Sequence, residues 1–234
     1  MGTNKKKARL AGFLYLIVVV TGIVNLAYIP SKLINWKNAE ATFTNISTNE
    51  TLFRFGILSG LICYTAFLLL PFALYRLLNP INKTAASLMV ILSVVSVPIS
   101  LLNFSNKFSV LRLLNNASNL EGIELYNVQE QILFYLQTYN DGNKIASIFW
   151  GLWLFPFGYL VYKSGFLPKI LGVLLMLGCL GYLINFTGNL LFPEYGNTII
   201  SDYITKPGSI GEIGICLWLL IIGTKEKSVA RNQS

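Results

Sequence analysis

The chain has 234 residues, of which 54% are hydrophobic and only 12% are charged, and its formal net charge is +8. A globular domain carries about 25% charged residues, so this composition excludes an ordinary soluble protein and indicates several membrane spans. The basic excess lies between apolar runs, where it predicts membrane topology rather than nucleic-acid binding.

Six apolar runs follow one another, and each is near the ~20 residues that a helix needs to cross ~30 Å of hydrocarbon. The first follows a basic head and is longer than the apolar region of a signal peptide, so we expect it to be retained. The predicted spans are about residues 10–29, 52–75, 84–105, 145–162, 169–192 and 209–223. They predict an all-α polytopic integral membrane protein with one domain over residues 1–234.

The longest segment between spans, residues 106–144, carries apolar residues at helical spacing. The residues that recur every three or four positions are Leu125, Val128, Ile132, Tyr135, Leu136 and Tyr139. This pattern predicts an amphipathic helix over about residues 123–140, lying on the membrane surface. Asp141 and Gly142 either break that helix or let it run on into the fourth span.

The distribution of lysine and arginine predicts the orientation of the chain. An even number of spans places both termini on one side, and that side holds eleven of the 18 basic residues. Because basic residues are enriched in cytoplasmic segments, we expect both termini to be cytoplasmic. The predicted location is the cell membrane, as a multi-pass protein in the cytoplasmic membrane of a bacterium.

Two pairs of short sequences predict an internal repeat. LPFA at 70–73 matches FPFG at 155–158, and LLNFS at 101–105 matches LINFT at 183–187. Each pair lies at corresponding places in spans two and three and in spans four and five. This arrangement is typical of the parallel helical-hairpin repeats of some transporters, and chance similarity among apolar residues is the alternative.

Polar side chains inside spans are costly in lipid and are therefore candidates for function. At 1.5 Å per residue from the basic end of each span, several of them fall about 20 Å or more into the membrane. The residues predicted to line an outward-facing ligand pocket are Glu212, Arg54, Asn25, Asn185 and Trp150. Glu212 would be the charge at the floor of the pocket and Arg54 its partner. The alternative is a structural pair of these two ions, with asparagine cross-links between helices.

The sequence offers little for catalysis. It contains no histidine, which removes histidine-assisted serine or cysteine catalysis and histidine-ligated haem. It also lacks a P-loop and a G-x-S-x-G motif. Cys63, Cys179 and Cys216 lie in apolar runs without metal-ligand spacing. We therefore predict no catalytic residue, no metal site and no cofactor.

Several stretches resemble a known family. They are KKKARLAGFLYLIVVVTGI near the start, LFRFGI at 52–57, FWGLWLFPFGYLVYKSGFLPKILG at 149–172 and GEIGICLWLL at 211–220. They resemble the domain of unknown function 4386 family, a group of bacterial six-helix membrane proteins. The resemblance implies a polytopic membrane protein and brings no activity, substrate or catalytic residue with it.

Three functions stay open at this point. The first is a membrane protein that binds or transports a small or lipid-like molecule through the outward-facing pocket. The second is an accessory or structural membrane protein without a ligand, and the third is an intramembrane enzyme. The expected partners are the lipid bilayer and a small-molecule or lipid ligand, with no nucleic acid. The sequence does not predict the oligomeric state.

Overall fold

A computed structural model describes residues 3–117 and 120–224, and all regular structure in those residues is helical. Six segments of this described chain are long and apolar enough to cross a membrane. They are Asn4–Leu33, Glu50–Leu78, Lys83–Asn116, Gly122–Lys163, Lys169–Leu191 and Ile199–Ile222. The prediction of an all-α protein with six spanning helices is confirmed.

The first span changes its helical form part of the way along. It consists of α1 (Thr3–Ile23), a π-helical turn (Val24–Tyr28) and α2 (Ile29–Leu33). A π turn is wider than an α turn because its hydrogen bonds join residues five apart, and such turns are frequent at functional sites. Asn25 lies in this turn and is completely buried.

Four further helices follow, of which the first lies between the first two spans and the other three build the second and third spans. They are α3 (Ala39–Thr48), α4 (Glu50–Leu78), α5 (Lys83–Asn103) and α6 (Ser105–Asn116). Pro71 and Pro98 lie inside α4 and α5, where membrane helices tolerate proline. The third span was predicted to end at residue 105. In the structure α6 begins directly after Phe104, so the candidate span continues to Asn116.

The fourth span is the longest. It consists of α7 (Gly122–Leu152) and α8 (Leu154–Lys163). α7 passes through Asp141 and Gly142 without a break, so the segment predicted as a surface helix runs on into the span. Its apolar stripe faces protein in the middle of the segment, since Ile132, Leu136 and Tyr139 are buried.

The last two spans pack closely on each other. They contain α9 (Lys169–Leu191), α10 (Ile199–Tyr203), α11 (Lys206–Leu217) and a second π-helical turn (Trp218–Ile222). A Cβ atom added at Gly211 would lie 3.1 Å from the backbone nitrogen of Leu175. α9 and α11 therefore cross where one helix has no side chain to separate them, as is common between membrane helices.

Contacts within the chain group into two units. Unit 1 takes in Met1–Leu16, Leu69–Ser93 and Ile148–Ser234, as far as the structure describes them, and unit 2 takes in Ile17–Leu68 and Val94–Ser147. Each unit has a core of its own. The large, fully buried side chains include Tyr15, Trp153 and Phe157 in unit 1 and Phe53, Phe104 and Ile132 in unit 2.

Candidate functional site

The five residues predicted to line one pocket are divided between the two units. Asn25 and Arg54 belong to unit 2, whereas Trp150, Asn185 and Glu212 belong to unit 1. Two polar clusters result, one built around Glu212 in unit 1 and one in unit 2 that includes Asn25.

Arg54 has a partner on its own helix. Its Nη2 atom lies 2.6 Å from Oε1 of Glu50, four residues earlier on α4, and both side chains are exposed. The structure thus gives Arg54 this partner in place of the predicted Glu212. An exposed pair of this kind contributes roughly 0–1 kcal/mol, so Arg54 acts here as a surface residue.

Glu212 lies on α11 and is partly buried. Its Oε1 atom accepts a hydrogen bond of 2.9 Å from the hydroxyl of Tyr15 on α1. These two segments approach closely because Gly12 has no side chain: a Cβ atom there would lie 2.5 Å from the backbone nitrogen of Leu220. The Cys216 thiol also donates to the Gly12 carbonyl, at 3.7 Å. The site therefore sits where α1 meets the last span.

An aromatic cluster holds Tyr15 in place. Trp153, between α7 and α8, stacks on Phe157 with ring centroids 5.1 Å apart and an interplanar angle of 11°. The Tyr15 ring lies 6.2 Å and 6.3 Å from these two rings. All three residues are at most 1% exposed, so the hydroxyl that contacts Glu212 is fixed by packing.

The Glu212 carboxylate has no cationic partner in the part of the chain that the structure describes. The ion pairs there join Arg54 to Glu50 and Lys144 to Asp141. A carboxylate inside a membrane span is costly unless a cation, further donors or a proton compensates it. The Tyr15 hydroxyl supplies one neutral hydrogen bond, which leaves most of the acceptor capacity of the carboxylate for other groups.

The other two predicted residues of unit 1 have surroundings of their own. The Asn185 side-chain oxygen accepts from the Ser201 hydroxyl at 3.3 Å and from the Asn189 amide at 3.2 Å. The bond to Ser201 joins α9 to α10, the bond to Asn189 lies within α9, and neither leads to Glu212. Trp150 is partly buried on α7, next to Gly151, where α7 packs against α9.

Sequence reasoning missed the most deeply buried charge of the described residues, Lys107 in unit 2. It lies on α6 and is 3% exposed. Its Nζ atom donates to Oδ1 of Asn25 at 2.8 Å. The same atom lies 4.1 Å from the ring centroid of Tyr139 and 5.4 Å from that of Phe104. These four residues are named the Lys107 cluster below.

The backbone places the Lys107 cluster through small residues and amides. Gly60 on α4 leaves room for both Asn25 and Phe104, because a Cβ atom there would lie 2.8 Å from Cγ of Asn25. The Asn25 amide donates to the Tyr139 hydroxyl at 3.1 Å. The Asn103 amide donates to the Tyr139 carbonyl at 2.7 Å and so joins α5 to α7.

The contacts of Lys107 are all with neutral groups. An ammonium has three N–H donors, and Asn25 accepts one of them. A hydrogen bond to a charged group contributes about 1.5–3 kcal/mol, and a desolvated cation–π contact about 2 kcal/mol. Burying an ion costs several kcal/mol, which is of the same order as these contacts together. A buried charge inside a candidate span, with neutral partners among the described residues, is a second candidate site.

Known proteins place the chain in a family. A family model described as "Domain of unknown function (DUF4386)" matches residues 10–223. An "Uncharacterized protein" of Archaeoglobus fulgidus is 31% identical over 157 residues, which is 67% of this chain and 76% of that protein. No solved structure matches. The family match includes Lys107, Glu212 and most of every candidate span, so this multi-pass membrane protein belongs to the family described as Domain of unknown function (DUF4386).

Proposed function

We propose that this protein binds or transports a small or lipid-like molecule that offers a hydrogen-bond donor or a cationic group to Glu212. One observation carries the proposal: a partly buried glutamate lies inside the candidate span Ile199–Ile222, and its hydrogen-bond partner in the described chain is the Tyr15 hydroxyl. An ionisable group inside a span is, by default, a candidate for part of a ligand or ion pathway.

The surroundings of Glu212 favour binding because they hold the carboxylate still and leave it unsatisfied. Tyr15 bonds only to Oε1, and no described residue donates to Oε2. The buried rings of Trp153 and Phe157 fix Tyr15, and through it the carboxylate. A polar anchor held by apolar packing is the usual design of a small-molecule site. We propose the cell membrane as its location, on the basic excess of the segments predicted to be cytoplasmic.

A structural role is the second candidate, and a specific observation supports it. The Tyr15–Glu212 bond and the Cys216–Gly12 contact both join the first span to the last. A polar cross-link between spans contributes to helix association without any ligand. In that case Glu212 would be a packing residue and the protein an accessory component of the membrane.

Native mass spectrometry of gently extracted full-length protein separates the two candidates. The variants are Glu212→Gln and, as a matched control, Glu194→Gln, which changes an exposed carboxylate that bonds to Asn197. Glutamine retains an oxygen that accepts from Tyr15, so we expect Glu212→Gln to keep its fold and its melting temperature. A bound mass should appear in wild type and in Glu194→Gln and be lost in Glu212→Gln.

The opposite result has two parts. Absence of any bound mass from wild type, together with a melting temperature that falls in Glu212→Gln but not in Glu194→Gln, would reject ligand binding at this site and support the structural role.

A further inference from the structure

Unit 2 holds a buried ammonium that no described carboxylate neutralises, and this observation does not depend on Glu212 or on the function proposed above. Lys107 is 3% exposed, and the ion pairs of the described residues lie elsewhere. We propose that Lys107 binds an oxyanion, either a phosphate or a carboxylate, carried by a lipid headgroup or by a small free molecule. Lysine recognises such groups as a compact positive charge.

The donors and acceptors of the Lys107 cluster do not satisfy all the N–H donors of the ammonium. Asn25 uses both ends of its amide, since Oδ1 accepts from Lys107 and Nδ2 donates to the Tyr139 hydroxyl. The rings of Tyr139 and Phe104 contact the ammonium through their faces, which attract a cation but accept no strong hydrogen bond. Two N–H donors of Lys107 are therefore without a strong acceptor in the described chain, and an oxyanion would supply it.

Two contacts of the Lys107 cluster do not involve the lysine. The bond of 3.1 Å between Asn25 and Tyr139 does not involve the ammonium. The Tyr139 and Phe104 rings also pack directly on each other, with centroids 5.4 Å apart and an interplanar angle of 61°. The flexible stem of a lysine allows its ammonium to move while such a frame stays in place. Under the proposal, an anion would meet the ammonium when this one side chain moves, without separation of helices.

A closed structural role is the competing explanation. In that case the Asn25 oxygen and the two rings would hold the ammonium permanently, and the lysine would join α6 to the π-helical turn of the first span and to α7. The two explanations differ in whether the ammonium ever leaves the cluster and whether an anion competes for it.

Binding of defined probes to the purified full-length protein in neutral detergent tests the proposal. The probes are inorganic phosphate for a free anion, dihexanoyl phosphatidic acid for a lipid headgroup, and octanoate for a fatty carboxylate. Octanol is the uncharged reference for octanoate. The variants are Lys107→Met and the control Lys144→Met, which removes an exposed lysine of the same unit.

We expect at least one anionic probe to bind wild type, and its dissociation constant to rise at least tenfold in Lys107→Met but stay within twofold in Lys144→Met. Binding of phosphate alone would identify a free anion, and binding of phosphatidic acid alone a lipid headgroup. The proposal is overturned if no anionic probe binds wild type, or if both variants lose affinity equally. It is also overturned if octanol binds as well as octanoate while neither phosphate probe binds.

A measurement on wild type covers the case in which Lys107→Met does not fold. Reductive methylation of lysines, followed by peptide mass spectrometry, gives the reaction rates of Lys107 and Lys144 in the same sample. We expect Lys107 to react slowly, and the bound probe to slow it at least threefold further while the rate at Lys144 is unchanged. No reaction at Lys107 in the folded protein, over a time in which the unfolded chain reacts completely, would show a closed cluster and overturn the proposal.

Discussion

Replacing Gly12 by alanine tests a close backbone approach between the first and last spans. A Cβ atom at Gly12 would lie 2.5 Å from the nitrogen of Leu220 and 2.8 Å from the carbonyl carbon of Leu219. Both of these are backbone atoms, so no side chain can rotate out of the way. α1 and the π-helical turn that contains Leu219 and Leu220 must therefore move apart.

The size of the effect follows from the distances. An ordinary contact of this kind is about 3.5 Å, so the segments must separate by about 1 Å, and overpacking of a tight site costs about 1–3 kcal/mol. Alanine recovers about 0.5–1 kcal/mol through its higher helix propensity. At the middle of these two ranges the expected net loss for Gly12→Ala is about 1–2 kcal/mol, and the Tyr15–Glu212 bond lies one turn away in the same contact.

Thermal unfolding in detergent, followed by circular dichroism, is the assay. At about 2–4 °C per kcal/mol for a chain of this size, Gly12→Ala should melt about 2–8 °C below wild type. Gly22→Ala is the control on the same helix, because its Cβ atom would meet only the Cys63 sulfur, at 3.5 Å. It should be neutral or slightly stabilising. Equal melting temperatures for the two variants would refute the close contact.

Three further substitutions test individual contacts. Tyr15→Phe removes the hydroxyl that donates to Glu212 and should lower the free energy of unfolding by about 1–3 kcal/mol. A thermal melting curve measures this loss, and an unchanged curve would show that the bond is absent. Arg54→Ala removes an exposed ion pair with Glu50 and should cost less than about 1 kcal/mol, whereas a larger loss would mean a buried partner. Trp153→Ala empties a fully buried site and should cost about 3–5 kcal/mol, and a loss below 1 kcal/mol would contradict the packing of the aromatic cluster.

The arrangement of spans could be predicted from the sequence because crossing hydrocarbon imposes a length and an apolar composition on each helix. Pro71 and Pro98 lie within two of the predicted spans and do not end the helices there, since helices in membranes tolerate proline. The Arg54–Glu50 pair was also accessible to sequence reasoning, because charges four residues apart on a helix face each other. The span lengths, the prolines within helices and the i, i+4 ion pair each depend on residues close together in the sequence, which is why sequence reasoning can reach them.

The two clusters could not be predicted, because they depend on contacts between distant parts of the chain. Lys107 was assigned to a loop, since Ser105 and Asn106 end an apolar run, and its partner Asn25 lies 82 residues away. Asn25 lies in a π-helical turn, which the pattern of apolar residues does not predict. Tyr15 and Glu212 are 197 residues apart, and one tyrosine in an apolar run gives no sign of its partner.

The central claim is that the chain crosses a membrane six times, and single-cysteine labelling tests it most directly. The three native cysteines are replaced by alanine, and single cysteines replace Glu40, Pro80, Glu121 and Phe166, which lie between successive spans. An impermeant maleimide added to intact cells should label the first and third of these positions, and should reach the second and fourth only after the membrane is permeabilised. This result would also establish the predicted cytoplasmic termini. Labelling of Glu40→Cys and Pro80→Cys from the same side of an intact membrane would contradict the account.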